Sequence, residues 1–256
     1  MIEIQKVIEV ILEAGKIVLE IYNTGDFKVE KKTDDSPLTM ADMASHNIIK
    51  EKLQSLYPTI PILSEEGKDT EYEIRKDWKQ FWLIDPLDGT KEFIKKNGEF
   101  TINIALIVDS IPVLGIIYAP AFDENTNSLG SFPGSLYYGE KEIGSYKQIA
   151  EHKPVKLPCF NKSDNITAVR SRSHASPEEE KIFEKYNVKE TISIGSSLKF
   201  CMVAEGRAHI YYRHGPTYEW DVAAGYAIAK YAGADITGLE FNKQVLLNES
   251  FMVKIK

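Results

Sequence analysis

The stretch Trp82-Leu83-Ile84-Asp85-Pro86-Leu87-Asp88-Gly89-Thr90 constrains this chain more than any other. The apolar run over residues 81–84 predicts a buried strand, and Asp-Pro-Leu-Asp-Gly-Thr after it predicts a turn. Pro86 fixes its own φ and pushes Asp85 into an extended conformation, and Gly89 permits close backbone approach. Two carboxylates, three residues apart, are thereby carried around a bend at the mouth of a strand. Residues 91–94 then predict a short helix whose free N–H groups point back at whatever the carboxylates hold. An isolated Pro-x-Asp-Gly is ordinary turn chemistry. Closely spaced aspartates with a turn carbonyl also suit Mg²⁺, which takes oxygen ligands and leaves room for water and substrate phosphate. The choice rests on whether other carboxylates in the chain have matching contexts.

The 256 residues fit one large domain or two small ones. With 43% hydrophobic and 27% charged residues, the core can be large enough to need no disulfide staple. A net charge of −7 argues against a nucleic-acid partner and against an anionic membrane surface, but leaves room for a small anionic ligand met locally by metals and a few basic residues. Cys159 and Cys201 form no C-x-x-C pair, so buried free thiols in a reducing compartment are expected. The N-terminal residues carry an acid and no basic region, and no apolar run approaches the ~20 residues of a membrane span. The expectation is a cytoplasmic protein with no transmembrane segment. Peripheral membrane association needs no such segment and stays open, as does the choice between monomer and homodimer.

Helical spacing of apolar residues predicts an amphipathic helix over residues 2–22, ending near Gly25. A polar loop follows, then a helix over 39–56 with Thr39 as N-cap and Asp42 at its third position, where a capping-box acid is favoured. Residues 60–67 read as a short strand ending in Glu65-Glu66-Gly67, and 67–80 as a charged, exposed excursion. Residues 100–118 predict an antiparallel hairpin about Asp109-Ser110. Short strands are expected over 135–138 and 147–149, and a soft boundary near 155. Beyond it, strands over 166–170, 191–194 and 208–212 alternate with helices over 177–186, 196–205 and 220–232, which predicts a layered α/β half.

Three segments, Ser64-Glu65-Glu66, Asp85-Pro86-Leu87-Asp88-Gly89-Thr90 and Trp220-Asp221-Val222-Ala223-Ala224-Gly225, resemble in order and spacing the signatures of the inositol monophosphatase superfamily. The resemblance runs almost the whole length, to Phe241-Asn242-Lys243 and Leu246-Leu247-Asn248. It implies a layered αβαβα sandwich, α+β in class, with an N-terminal metal-binding half (1–155), a C-terminal substrate-binding half (156–256) and the active site between them. It also implies a lithium-sensitive, Mg²⁺-dependent phosphomonoesterase with two to three ions. Glu65, Asp85 and the Leu87 carbonyl would hold one ion, Asp85, Asp88 and Asp221 a second, and Glu65 with water a weaker third. Asp42 and Thr90 resemble the pair that orients the attacking water, a role compatible with helix capping. The N–H groups of Gly89 and Thr90 would cradle the phosphate.

The segments Gly195-Ser196-Ser197-Leu198-Lys199-Phe200-Cys201 and Tyr211-Tyr212-Arg213-His214-Gly215-Pro216-Thr217 further resemble the 3′(2′),5′-bisphosphate nucleotidase branch. That branch hydrolyses adenosine 3′,5′-bisphosphate (PAP), a product of sulfate assimilation, and the resemblance makes PAPS a second candidate substrate. It implies that Ser196, Lys199 and Arg213 bind the phosphate that is not cleaved, a role suited to a cation and a planar donor fork. Inositol monophosphatases carry an acid where Arg213 stands. Ser173 and His174 resemble a Ser-Arg-Ser-His segment near the nucleotide, with His174 against the adenine. Two alternatives remain at this stage: a phosphatase for inositol phosphates or fructose 1,6-bisphosphate, and a non-catalytic nucleotide or metal sensor.

Overall fold

The computed structural model describes residues 2–31, 37–67, 70–122, 134–158, 165–172 and 176–255. Helix α1 (Ile4–Thr24) ends on left-handed Gly25, and a two-strand ribbon, β1 (Glu30–Lys31) with β2 (Pro37–Leu38), leads into α2 (Met40–Leu56). Among the described residues one sheet has seven strands in sequence order: β3 (Ile62–Ser64), β4 (Gln80–Asp88), β5 (Thr101–Val108), β6 (Ile111–Ala119), β7 (Ser135–Glu140), β8 (Gly144–Ile149) and β9 (Val155–Leu157). Every neighbouring pair is antiparallel except β3 with β4. The hairpin between β5 and β6 turns on Asp109 and Ser110, both at positive φ (47° and 60°), the conformation a two-residue loop needs to match strand twist. Short helices α3 (Tyr72–Arg75) and α4 (Thr90–Ile94) flank β4.

The second sheet contains β10 (Thr167–Ser171), β11 (Glu190–Ile194), β12 (Ile210–Arg213), β14 (Asp235–Thr237) and β16 (Phe251–Lys254), in the order β11-β10-β12-β16-β14. Around it lie α5 (Pro177–Lys185), α6 (Leu198–Ala204), α7 (Glu219–Tyr231) and a small ribbon of β13 (Thr217–Tyr218) with β15 (Leu247–Asn248). The parallel pairs of β10 with β11 and β12 are those expected from strand–helix alternation; β14 and β16 add antiparallel pairs that the short Phe251-Met252-Val253 run did not announce.

Period-two alternation explains the layering. In β4, Phe81 and Leu83 join a core shared with α6 and α7, whereas Trp82 and Ile84 join a core shared with α1 and α2. A third cluster of Ala168, Phe183 and Ile210 seats α5 on the outer face of the second sheet. The result is an αβαβα sandwich with α6 and α7 between the sheets. Its inner layer is unusually close: a Cβ on Gly115 of β6 would lie 2.3 Å from the Ala224 carbonyl oxygen of α7, and one on Gly225 would lie 2.4 Å from Phe200.

One expectation is corrected and one is refined. The Asp85–Asp88 segment stays within β4 and does not make the expected turn. Asp85 pairs with Asn103 and Asp88 with Thr101, so three steps of β4 oppose two of β5, and the strand continues through a bulge that absorbs Pro86. The excursion over 67–80 is exposed over most of its described residues, as expected, but Arg75 anchors it. Arg75 is 2% exposed and donates to Asn242 Oδ1 (2.9 Å) and to the Gln244 carbonyl (3.0 Å).

Because α7 seats against backbone at Gly115, Gly115→Ala is expected to lower the unfolding free energy by about 1–3 kcal/mol, and Gly115→Val by more. Urea unfolding checks this; unchanged midpoints for both would contradict the close packing.

Candidate active site

The bulge of β4 brings its carboxylates to the inner layer. Asp85 is 1% exposed, and its Oδ1 accepts from the Leu87 amide (3.0 Å). The carbonyl before it, Pro86 O, accepts from Ser45 Oγ of α2 (2.8 Å), which ties the bulge to the outer helix. Gly89 follows at φ +89°, where a side chain would be strained and its Cβ would meet the Glu99 carbonyl oxygen at 3.1 Å. The short α4 is then held by Phe93, whose ring packs on Tyr22, Phe27 and Phe100 at centroid distances of 5.1, 4.8 and 4.9 Å.

Two helix starts deliver further acids. Asp42 closes the capping box of α2: its Oδ2 accepts from the Thr39 amide (2.8 Å) and from Thr39 Oγ1 (2.5 Å). Its Oδ1 faces Thr90 Oγ1 at 3.3 Å, so capping and contact with Thr90 coexist on one carboxylate. The Thr90 hydroxyl has a second acceptor, the Leu87 carbonyl, also at 3.3 Å. Asp221 stands at the same position of α7 and accepts from the Tyr218 amide (2.9 Å). Trp220 beside it stacks on Tyr218 at 4.6 Å.

Glu65, Asp88, Gly89, Thr90, Asp221, Ser196, Lys199 and Arg213 line one cleft of about 250 Å³. Asp42, Asp85 and Leu87 are buried behind its wall. Ser173 and His174, and Asp34 and Asp35 of the loop before α2, lie outside the described residues. The cleft also takes in Glu92, Ser171, Tyr211 and Thr217, which their sequence contexts did not single out as site residues.

Electrostatics mark the carboxylates as mutually uncompensated. Burial, then the charges of Glu65, Asp88 and Asp221, hold the Asp85 carboxyl well above the usual range, and a hydrogen bond with Glu65 adds to this. Burial pushes Asp88 up to about 6 against the pull of Lys199 and the Ser197 amide. Asp221 is raised by burial, then by Asp88 and Glu65. Burial depresses Lys199 to about 8, partly offset by Asp88. Among the described residues no three acidic, histidine or cysteine side chains stand in ready coordination geometry. The donor set nevertheless fits Mg²⁺: it is all oxygen, and two of its carboxylates share a hydrogen bond that needs one of them protonated.

The other end of the cleft suits an anion. Lys199 Nζ is held by the Ser196 carbonyl (2.5 Å) and lies 5.7 Å from the Tyr211 ring centroid. Ser196 is at φ +49°, which starts α6 two residues later than helical periodicity predicted. Among the described residues Ser196 Oγ, Arg213 Nε and Thr217 Oγ1 are buried without a hydrogen-bond partner. Buried polar groups of this kind require one, which a ligand entering the cleft can supply.

The model of the inositol monophosphatase family matches residues 3–255. The 3′(2′),5′-bisphosphate nucleotidase CysQ of Salmonella typhimurium is 41% identical over 265 residues, covering 98% of this chain and 99% of that protein. The crystal structure of CysQ from Bacteroides thetaiotaomicron, a bacterial member of the same family, superposes with TM-score 0.83 at 39% identity, covering 98% of this chain and 96% of that one. The suhB protein of Bartonella henselae shares the fold at TM-score 0.77 and 21% identity, over 99% of this chain and 93% of that one.

The raised Asp88 carboxyl has a defined consequence for stability when divalent ions are chelated. Its native value exceeds its unfolded one, so its contribution is present below the ordinary 3.8 and is lost as pH rises through about 6. Asp88→Asn removes that loss. The variant should therefore gain stability relative to the parent as pH is raised across this window, read by urea unfolding in a chelating buffer. A constant difference across the window would contradict the assigned burial.

Proposed function

The chain belongs to the inositol monophosphatase family, and we propose that it is a 3′(2′),5′-bisphosphate nucleotidase. It hydrolyses the 3′-phosphate of PAP to give AMP and phosphate, with PAPS as a second substrate. One observation carries this choice within the family. The cleft that holds the acidic wall also holds Lys199 and the unpartnered Ser196 Oγ and Arg213 Nε. A substrate with two phosphates matches both ends. An inositol phosphate offers hydroxyls where a guanidinium stands, and hydroxyls do not use its planar charged fork.

The family is Mg²⁺-dependent. Here Glu65, Asp85, the Leu87 carbonyl, Asp88 and Asp221 would hold two ions, and Glu65 with water a third. When bound, Mg²⁺ supplies charge neutralisation for a phosphoryl group and a water more acidic than bulk. The chain's own groups do the positioning. Thr90 Oγ1 has one hydrogen; donating it to Asp42 Oδ1 leaves its lone pairs to accept from the attacking water. The amides of Gly89 and Thr90 face the scissile phosphate. Ser196, Lys199 and Arg213 hold the retained 5′-phosphate through charge-assisted hydrogen bonds. Retention of Asp42, Glu65 and Thr90 supports turnover over sensing. No described helix is long and apolar enough to cross a membrane, and a cytoplasmic site of action, free or peripheral to the membrane, belongs to the same proposal.

Asp88→Asn is expected to lower kcat on PAP by at least about 100-fold with the fold retained by circular dichroism. Near-normal turnover would remove Asp88 from the metal set. Arg213→Ala should raise KM for PAP by roughly 30-fold or more, with a far smaller change for adenosine 3′-monophosphate. Equal changes on both substrates would take Arg213 away from the 5′-phosphate.

A further inference from the structure

Glu99 lies in the turn between α4 and β5, outside both sets of binding residues, yet it adjoins Gly89 of one and bonds Gly195, the residue before Ser196 of the other. Its Oε2 accepts from the Gly195 amide (2.9 Å) and from Arg172 Nε (2.9 Å), and its Oε1 accepts from Arg172 Nη2 (2.5 Å). Arg172 Nη2 also donates to the Ser193 carbonyl (3.1 Å). Arg172 directly follows β10, Ser193 lies in β11, and Gly195 directly follows β11. One acid from the first sheet's side of the cleft therefore clamps the ends of two parallel strands of the second sheet.

The backbone of Glu99 is equally engaged. A Cβ on Gly195 would lie 2.9 Å from the Glu99 carbonyl oxygen and 2.9 Å from Glu92 Cγ. A Cβ on Gly89 would lie 3.1 Å from that same oxygen and 3.3 Å from Ser196 Cβ. Glu99 is thus wedged between the Gly89–Thr90 turn and the Gly195–Ser196 turn. The second turn sets the left-handed Ser196 and, through the Ser196 carbonyl, the ammonium of Lys199. A bidentate arginine–carboxylate contact on a mostly buried acid has the geometric definition to hold such a spacing. The pairing also neutralises a carboxylate that would otherwise stand bare near an anion site.

We propose that Glu99 and Arg172 are positioning residues that fix the spacing between the cleaved and the retained phosphate, and so set the preference for 3′,5′-bisphosphates over 3′-monophosphates. This rests on the nucleotidase function proposed above. Neither side chain lines the cleft; Glu99 acts through Gly195 and Ser196, and Arg172 acts through Glu99.

The test compares the parent enzyme with Glu99→Gln, Arg172→Ala and the double variant, each with Mg²⁺. KM and kcat are measured for PAP and for adenosine 3′-monophosphate, and the thermal midpoint is recorded. The ratio of KM for PAP to KM for the monophosphate is expected to rise about tenfold in each single variant. The double variant should show no further rise, because the two residues act as one unit. An unchanged ratio, additive effects of the two substitutions, or a parallel rise of both KM values with a lowered thermal midpoint would each overturn the assignment. A parent enzyme with no preference for PAP would instead overturn the nucleotidase function itself, and this assignment with it.

Discussion

Two carboxylates at the end of a strand covered on both faces, Asp85 buried and Asp88 lining the cleft, are the constraint on which the rest depends. A charge withdrawn from water is costly unless it is paired or coordinated. Asp85 and Asp88 lie where a one-residue bulge interrupts the pairing of β4 with β5. Without that extra residue the strand would run on with alternating faces, and the two acids could not address one cleft. The bulge is itself held from outside by Ser45 and from inside by the Leu87 amide.

The fold brings the remaining acids by reusing helix starts. Asp42 and Asp221 each spend one carboxylate oxygen on an N-cap amide, at 2.8 and 2.9 Å. The first helix turn favours a negative charge there, so these acids stabilise their helices and still present a second oxygen to the site. The layering matters for the same reason. α7 carries Asp221 into contact range of β4 only because Gly115 and Gly139 leave it room against the first sheet. A buried ion pair, Lys147 with Glu205 at 2.9 Å, with Tyr137 bonded to the same acid at 2.7 Å, fastens β7 and β8 to the end of α6. Site geometry and interlayer packing are therefore one problem.

Much of this was legible in the sequence. The amphipathic first helix, the Asp109-Ser110 hairpin and the strand–helix alternation of the second half carry clear local signals. Asp42 shows the limit of a local signal: its capping pattern and its contact with Thr90 are both real, and only the fold brings residues 42 and 90 together. The short strands β14 and β16 escaped notice because three or four residues cannot establish a period. Asp-Pro-Leu-Asp-Gly signals a turn because its residues are turn formers, whereas pairing with β5 on both sides of the bulge keeps the chain in the strand. Arg75 looked like surface charge because its partners, Asn242 and Gln244, lie far along the chain. Glu99 was invisible for the same reason: Gly195 is 96 residues away.

The most direct test of the two-ended cleft is phosphate release from a substrate panel. PAP, 5′-AMP, inositol 1-phosphate and fructose 1,6-bisphosphate are each offered with Mg²⁺ and with EDTA. Strong release from PAP, abolished by EDTA, and little from the others is expected. Preferential release from inositol 1-phosphate would contradict the assignment of Lys199 and Arg213 to a second phosphate, and release that persists in EDTA would contradict the acidic wall as a cation site.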